Sequence, residues 1–190
     1  MQITYSWIDS PLLIDLIGGD LWNLLKTTAE DESILGIGRD TDESAGASYL
    51  KSLKHTLEHD GHLLIGTVKG KIVLTCLLRQ QSFQTMRHMA DLQKGTIDRA
   101  YRGKGLLKDA LRHIVERSEQ IGVQRLTLDV REGSAAHRLW SHWGFETFGV
   151  LRDYSRYEGY SYPGHFMHQS VSDLDKRLRI GRKNIPQYSV

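Results

Sequence analysis

Between Asp98 and Leu107 the chain reads DRAYRGKGLL, which sets Arg102, Gly103, Lys104 and Gly105 between a strand-like segment and a helix-like one. Ordinary residues could turn that corner. Paired glycines point instead to a backbone that something approaches closely, and the two cations beside them make that visitor an anion. An Arg-Gly-x-Gly loop at a helix start can aim several main-chain N–H groups at one diphosphate, aided by a helix dipole worth about half an elementary charge. Two phosphate motifs are excluded. The triphosphatase loop needs Ser or Thr after Gly-Lys to reach magnesium, and Gly105 follows Lys104 here. The dinucleotide fingerprint needs a third glycine in the region of Lys108 and Asp109. From the loop alone, a plain strand-to-helix turn with solvated Arg102 and Lys104 stands as the competing reading.

Other residue types with reactive potential are weaker. Cys76 lies inside the apolar run IVLTCLL, which marks a small buried hydrophobe rather than a nucleophile. With no second cysteine there is no intramolecular disulfide, and a reducing, cytoplasmic location is expected. His55 and His59 stand four apart with Glu58 between them, yet they do not form H-E-x-x-H and no third ligand is near in sequence. They read as solvated helix residues, and no metal site is expected.

The 190 residues carry 25 Lys plus Arg against 23 Asp plus Glu, a net charge of +2. That balance is too slight for nucleic acid to be the principal partner, although the tail carries Lys176, Arg177, Arg179, Arg182 and Lys183. The opening MQITYSWIDS lacks a basic start and an apolar segment, and no apolar run is long enough to span a bilayer. Neither export nor a membrane partner is expected.

The elements that must position the loop follow from periodicity. Ser10 and Pro11 open a helix over SPLLIDLIGGDLWNLLKTTAEDE, with Gly18-Gly19 expected to interrupt it. A second helix puts Tyr49, Leu50, Leu53 and Leu57 on one face, with Gly61 as its expected stop. HLLIGTV, KGK and IVLTCLLRQ read as a hairpin, and a further strand lies within MRHMADLQKGTI. Beyond the loop, Leu106, Leu107, Ala110, Leu111, Ile114, Val115 and Ile121 give an amphipathic helix. The strand VQRLTLDV follows, then a short helix capped by Ser134 and stopped by Gly144, then closing strands in FETFGVLRDYSRY and GHFMHQSV. The order is mixed α/β in one domain, 1–171, followed by a polar basic tail, 172–190, readable as a helix, an arm or a disordered end.

The segment MADLQKGTIDRAYRGKGLLKDALRHIVERSEQIGVQRLTLDVREGSAAHRLWSHWGFETFGV resembles the GNAT superfamily of acyl-coenzyme A-dependent N-acyltransferases. RGKGLL is similar to its Q/R-x-x-G-x-G/A diphosphate loop, and AAHRLWSHWGF to its A-x-x-x-Y-x-x-x-G-F helix and strand. DLQKGTIDRAYRGKGL, REGSAAHRLW and GVLRDYSRYEGYSYPGHFMHQSV resemble more closely the tabtoxin-resistance type of small-molecule acetyltransferase, and SILGIG its early substrate-side segment. The resemblance implies a central twisted mixed sheet of about seven strands flanked by about four helices. It departs twice: Leu107 stands where Gly or Ala is usual, and Trp140 where a tyrosine often protonates the departing thiolate. An indole N–H is a poor acid.

By the same resemblance acetyl-coenzyme A is the cofactor. Arg102, Gly103, Lys104, Gly105, Leu106 and Leu107 would hold its diphosphate, main-chain groups of Thr96 and Ile97 its pantetheine arm, and Ser134 and Trp140 its other side. An aliphatic amine with a pKa near ~10.4 is uncharged in only about one part in a few thousand at pH 7, so the reaction needs a base. Asp91 and Asp129 are the carboxylates that the resemblance places at the gap where acyl group and amine meet. The acidic residues of TAEDES would meet a cationic acceptor. The implied activity is acetyl transfer to a primary amine of a small molecule. The alternatives are a protein or peptide amine, or a catalytically weak acyl-coenzyme A sensor, for which Trp140 speaks. Extended closing strands make a homodimer plausible.

Overall fold

The computed structural model describes residues 2–32 and 43–180. Pro11 opens a single 3-10 turn, Pro11–Leu13, that leads into α1, Ile14–Glu32. The expected break at Gly18-Gly19 does not occur, because Gly18 serves packing: a Cβ there would lie 3.0 Å from Leu50 Cδ1. Leu50 belongs to α2, Glu43–Leu57, whose Leu53 and Leu57 are buried while Tyr49 and Leu50 pack beside them. Gly61 is not the stop of α2. The helix ends at Leu57, and Gly61 begins the next strand, glycine there because a Cβ would meet the Thr56 carbonyl at 2.7 Å.

Seven strands form one sheet in the order β1-β2-β3-β4-β5-β7-β6: β1 Thr4–Ile8, β2 Gly61–Val68, β3 Lys71–Gln80, β4 Met89–Ile97, β5 Arg125–Arg131, β6 Glu146–Tyr157 and β7 Tyr160–Ser170. The hairpin expected across KGK is β2–β3, turned by Lys69 and Gly70 at φ 50 and 80. Among the described residues only β4 and β5 run parallel, and every other pairing is antiparallel. Such a parallel pair needs a crossover, which α3, Leu106–Gln120, provides.

Each face of the sheet has its own core. α1 and α2 pack Leu21, Leu24, Leu53 and Leu57 against Leu63, Ile65 and Leu77. On the opposite face α3 lays Leu111, Ile114 and Val115 over Leu64, Leu78, Leu126 and Leu128. Ser134 caps α4, Ala135–His142, as expected, and Gly144 follows it at φ 88. The expected tail begins with a fifth helix, α5, Val171–Ile180, whose Leu174 and Leu178 sit in the core beside α3. Residues 181–190 lie outside the described residues.

A candidate active site where the fourth and fifth strands part

Asp98 caps a 3-10 turn, Arg99–Tyr101, by accepting from the Ala100 N–H at 2.9 Å, and the chain then enters the glycine loop. Gly103 and Gly105 take φ of 72 and 82, the left-handed region that other residues enter only at a cost. A Cβ on either would meet no atom within 4 Å, so conformation, not crowding, requires glycine and the loop faces open space. Gly105 is the N-cap of α3, and the first closed main-chain bonds run from Lys108 and Asp109 N–H back to its carbonyl. The earlier N–H groups of the helix have no intrahelical acceptor, which leaves them for a ligand. Leu106 anchors the turn in the core while its carbonyl accepts from the Tyr5 hydroxyl at 2.9 Å. Arg102 donates from Nε to the Ile97 carbonyl at 3.1 Å, and Lys104 lies 5.2 Å over the Tyr101 ring. Leu107, which stands where Gly or Ala is usual, is half-buried and packs against the core under α3.

β4 and β5 pair only through Met89↔Arg125, Ala90↔Leu126 and Asp91↔Thr127. Beyond Asp91 the two strands part, and the edge of β4 that faces β5 continues unladdered to Ile97. Thr96 and Ile97 lie on that edge, next to the loop. Thr96 is buried and turns its hydroxyl to the Lys94 carbonyl at 3.0 Å. The β3–β4 register shifts in the same stretch: Leu77 opposes Gln93 and Thr75 opposes Thr96, so Lys94 and Gly95 share Cys76 as partner. That bulge puts Lys94 at φ 50.

The two carboxylates have different surroundings. Asp91, at the apex where the strands part, accepts from Gln81 Nε2 at 2.8 Å and from the Thr127 hydroxyl. Asp129 lies two residues further along β5, exposed, and accepts on Oδ2 from the Tyr154 hydroxyl. Tyr154 crosses from β6 over β7, which is glycine at 164 because a Cβ there would fall 2.1 Å from the Tyr154 ring. Burial, then the hydrogen bond to Asp129, pushes the Tyr154 phenol well above its usual range, so it stays a proton donor. Lys94 is half-buried, and that desolvation lowers its pKa against the opposing pull of Asp129. Sequence reasoning assigned neither Lys94 nor Tyr154. Tyr154 stands inside the quoted run RDYSRY, but the register shift between Leu151 and Ser155 hides its direction from a period-two reading.

On the other side of the gap, Trp140 packs edge-on to Phe145 with ring centroids 5.1 Å apart. Its Cζ2 lies 3.9 Å from the place of a Cβ on Gly95. Ser134 is buried, donates to the Arg131 carbonyl at 2.8 Å and accepts from the His137 N–H at 3.0 Å, so its hydroxyl holds the first turn of α4. Burial pushes the Cys76 thiol up to about 12, which keeps it protonated. His55, Glu58 and His59 group at the exposed end of α2, where His59 Nδ1 lies 2.8 Å from the His55 carbonyl. The SILGIG segment lies outside the described residues, and the side chains of the acidic TAEDES stretch from 30 on do too. No helix among the described residues is long and apolar enough to cross a membrane.

Residues 21–145 match the acetyltransferase (GNAT) family. Among curated proteins none matches the chain. Solved structures with the same fold include a candidate acetyltransferase of Salmonella typhimurium with its cofactor acetyl-coenzyme A, at TM-score 0.67, 14% identity, and 90% of this chain against 95% of that one. A ribosomal-protein-alanine N-acetyltransferase of Brucella melitensis superposes at TM-score 0.66 and 18% identity, over 90% and 99% of the two chains. A candidate phosphinothricin N-acetyltransferase does so at TM-score 0.69 and 13% identity, again over 90% and 99%.

Proposed function

The chain belongs to the acetyltransferase (GNAT) family, and on that premise we propose that it moves an acetyl group from acetyl-coenzyme A to a primary amine of a small molecule. The observation that carries this is the parting of β4 and β5 past Asp91, with an unladdered main-chain edge on one lip and Asp129 on the other. The coenzyme supplies a thioester, an acyl group activated toward an uncharged amine. The open glycine loop fits it: Arg102 to Leu107 present cations and helix-start N–H groups to a diphosphate. Thr96 and Ile97 would bind the pantetheine amides as a neighbouring strand does.

Asp129 takes the proton of the attacking ammonium, directly or through water. Tyr154 holds one of its oxygens, and Oδ1 accepts no hydrogen bond from any described residue. Asp91, with Gln81 and Thr127 on its two oxygens, fixes the apex of the gap and stands as the second candidate base. Trp140 has no acidic hydroxyl, so proton handling rests with Asp129 and Tyr154, and the indole packs beside the gap. Ser134 acts by holding α4 at the gap's far side.

The likeness of the closing strands to the tabtoxin-resistance type, and the shared fold with a candidate phosphinothricin N-acetyltransferase, support a toxin, antibiotic or amino-acid-like acceptor. A peptide amine is the second reading, favoured by the exposed flank of β6, where Phe148, Val150 and Leu151 are 61%, 54% and 50% exposed. The test is coenzyme A release by purified protein against a panel of amines and peptides. Release with amino-acid-like amines supports the proposal, and release with peptides alone moves the acceptor to the second reading. Tight coenzyme binding by calorimetry with no release from either set would make the protein an acyl-coenzyme A sensor.

A further inference from the structure

We propose that the acceptor is a primary amine carrying an aromatic ring, seated on a shelf of rings that leads from Asp129 across β7 to β6. The inference rests on the acetyltransferase reading of the gap and goes beyond it in naming what recognises the acceptor. Asp129 stands directly opposite Phe166 in the β5–β7 ladder, and cross-strand partners share a face of the sheet. Tyr154, whose hydroxyl holds Asp129, meets the Phe166 ring edge-on with centroids 6.2 Å apart. Phe148 continues the row, 6.4 Å from Phe166 and 5.7 Å from the His168 ring. These contacts join a carboxylate to a continuous aromatic surface. α1 and α2 pack over β2, β3 and β4, while at the outer end of the shelf Phe148 is 61% exposed.

The shelf fits one molecule in two halves. A carboxylate takes an ammonium, and rings with electron-rich faces and positive edges take a further ring. Tyr154 and Phe148 stand at 87° and 55° to Phe166, so the row offers both faces and edges. Neighbouring strands lie about 4.8 Å apart, so a ring two or three bonds from the amine reaches Phe166 while its nitrogen stays at Asp129. The ammonium sheds its proton to Asp129 and on to solvent. Its nitrogen lone pair then bonds to the thioester carbonyl carbon, and the carbon–sulfur bond breaks with its electron pair leaving on sulfur. The product is a neutral amide that has lost the charge Asp129 held, so only its ring still binds and release is favoured.

The experiment follows coenzyme A release by the full chain with acetyl-coenzyme A and either phenethylamine or butylamine, with coenzyme binding measured separately by calorimetry. The expected kcat/KM is at least about tenfold higher for phenethylamine, the effect of a ring received among rings. Phe148→Ala, at an exposed position, and Phe166→Leu should each lower that ratio about threefold or more, chiefly through KM. Equal use of the two amines, use of neither while other amines react, or a ratio unmoved by both substitutions overturns this inference alone. So does a dimer that Phe148→Ala splits in sedimentation with the ratio unchanged, because a second copy then covers the shelf. Failure to bind coenzyme, or binding with no release from any amine, overturns it together with the proposed function.

Discussion

At the scale of single residues, proton transfer in the proposed reaction would depend on Asp129 and on the Tyr154 hydroxyl that holds it. A positioned base contributes roughly 10²–10⁴-fold, so Asp129→Asn should lower kcat/KM for the best amine by about 100-fold or more. Calorimetric affinity for the coenzyme should stay unchanged, because Asp129 lies outside the glycine loop. Tyr154→Phe removes one hydrogen bond to a charged group and should cost about tenfold in kcat/KM. Gly164→Ala addresses the same unit through packing. Its Cβ would fall within 2.1 Å of the Tyr154 ring, so the ring must move. A thermal denaturation curve should show a loss of about 1–3 kcal/mol, accompanied by lower activity.

At the scale of elements, the glycine loop and α4 are the parts with sharp expectations. Gly105→Ala keeps every described neighbour clear but forces an alanine to φ 82, at about 1–2 kcal/mol. Relaxation of that strain would turn helix-start N–H groups away from the open side. Coenzyme affinity should fall about tenfold or more by calorimetry, with only a small drop in Tm. In the first turn of α4, His137 stacks on His165 with centroids 4.2 Å apart. Desolvation, then the His165 charge, lowers its pKa below that of a free histidine, against the opposing pull of Glu132. The unfolded chain therefore binds the proton more readily. The neutral ring's contribution is complete above the unfolded value of about 6.5 and is lost as pH falls through the folded one. Tm measured from pH 7.5 to pH 5 should fall less steeply in His137→Gln than in the natural chain.

At the scale of the whole molecule, the sheet is stabilised from two faces, and α5 ties its end to the α3 side. Leu174 and Leu178 are 0% and 1% exposed, and Arg177 lies against Gly144, where a Cβ would meet its Nε at 2.2 Å. Leu178→Ala should therefore cost about 2–5 kcal/mol in denaturant unfolding, the penalty of a core cavity rather than of a trimmed tail. The two faces also divide the labour of the gap. The α3 face holds the loop and the packing around Trp140, while the opposite face carries Asp129 and Tyr154.

Much of this was written locally in the chain. Gly103 and Gly105, the Ser134 cap and the apolar period of α3 depend on residues a few positions apart, so dihedral preference and periodicity reveal them. Mixed α/β order and the glycine loop were legible for that reason. Gly18 and Gly61 misled because each is glycine for an atom that crowds its Cβ position in the fold, Leu50 of another helix in one case and the Thr56 carbonyl in the other. Leu174 and Leu178, one helical turn apart, gave too short a period to show that they reach the core. Tertiary structure alone decided where β4 and β5 part, that Tyr154 crosses β7 to Asp129, and that a bulge in β4 opposes Cys76. Register shifts and strand order fix those meetings, and both are set by pairing between segments many residues apart, which no local pattern encodes.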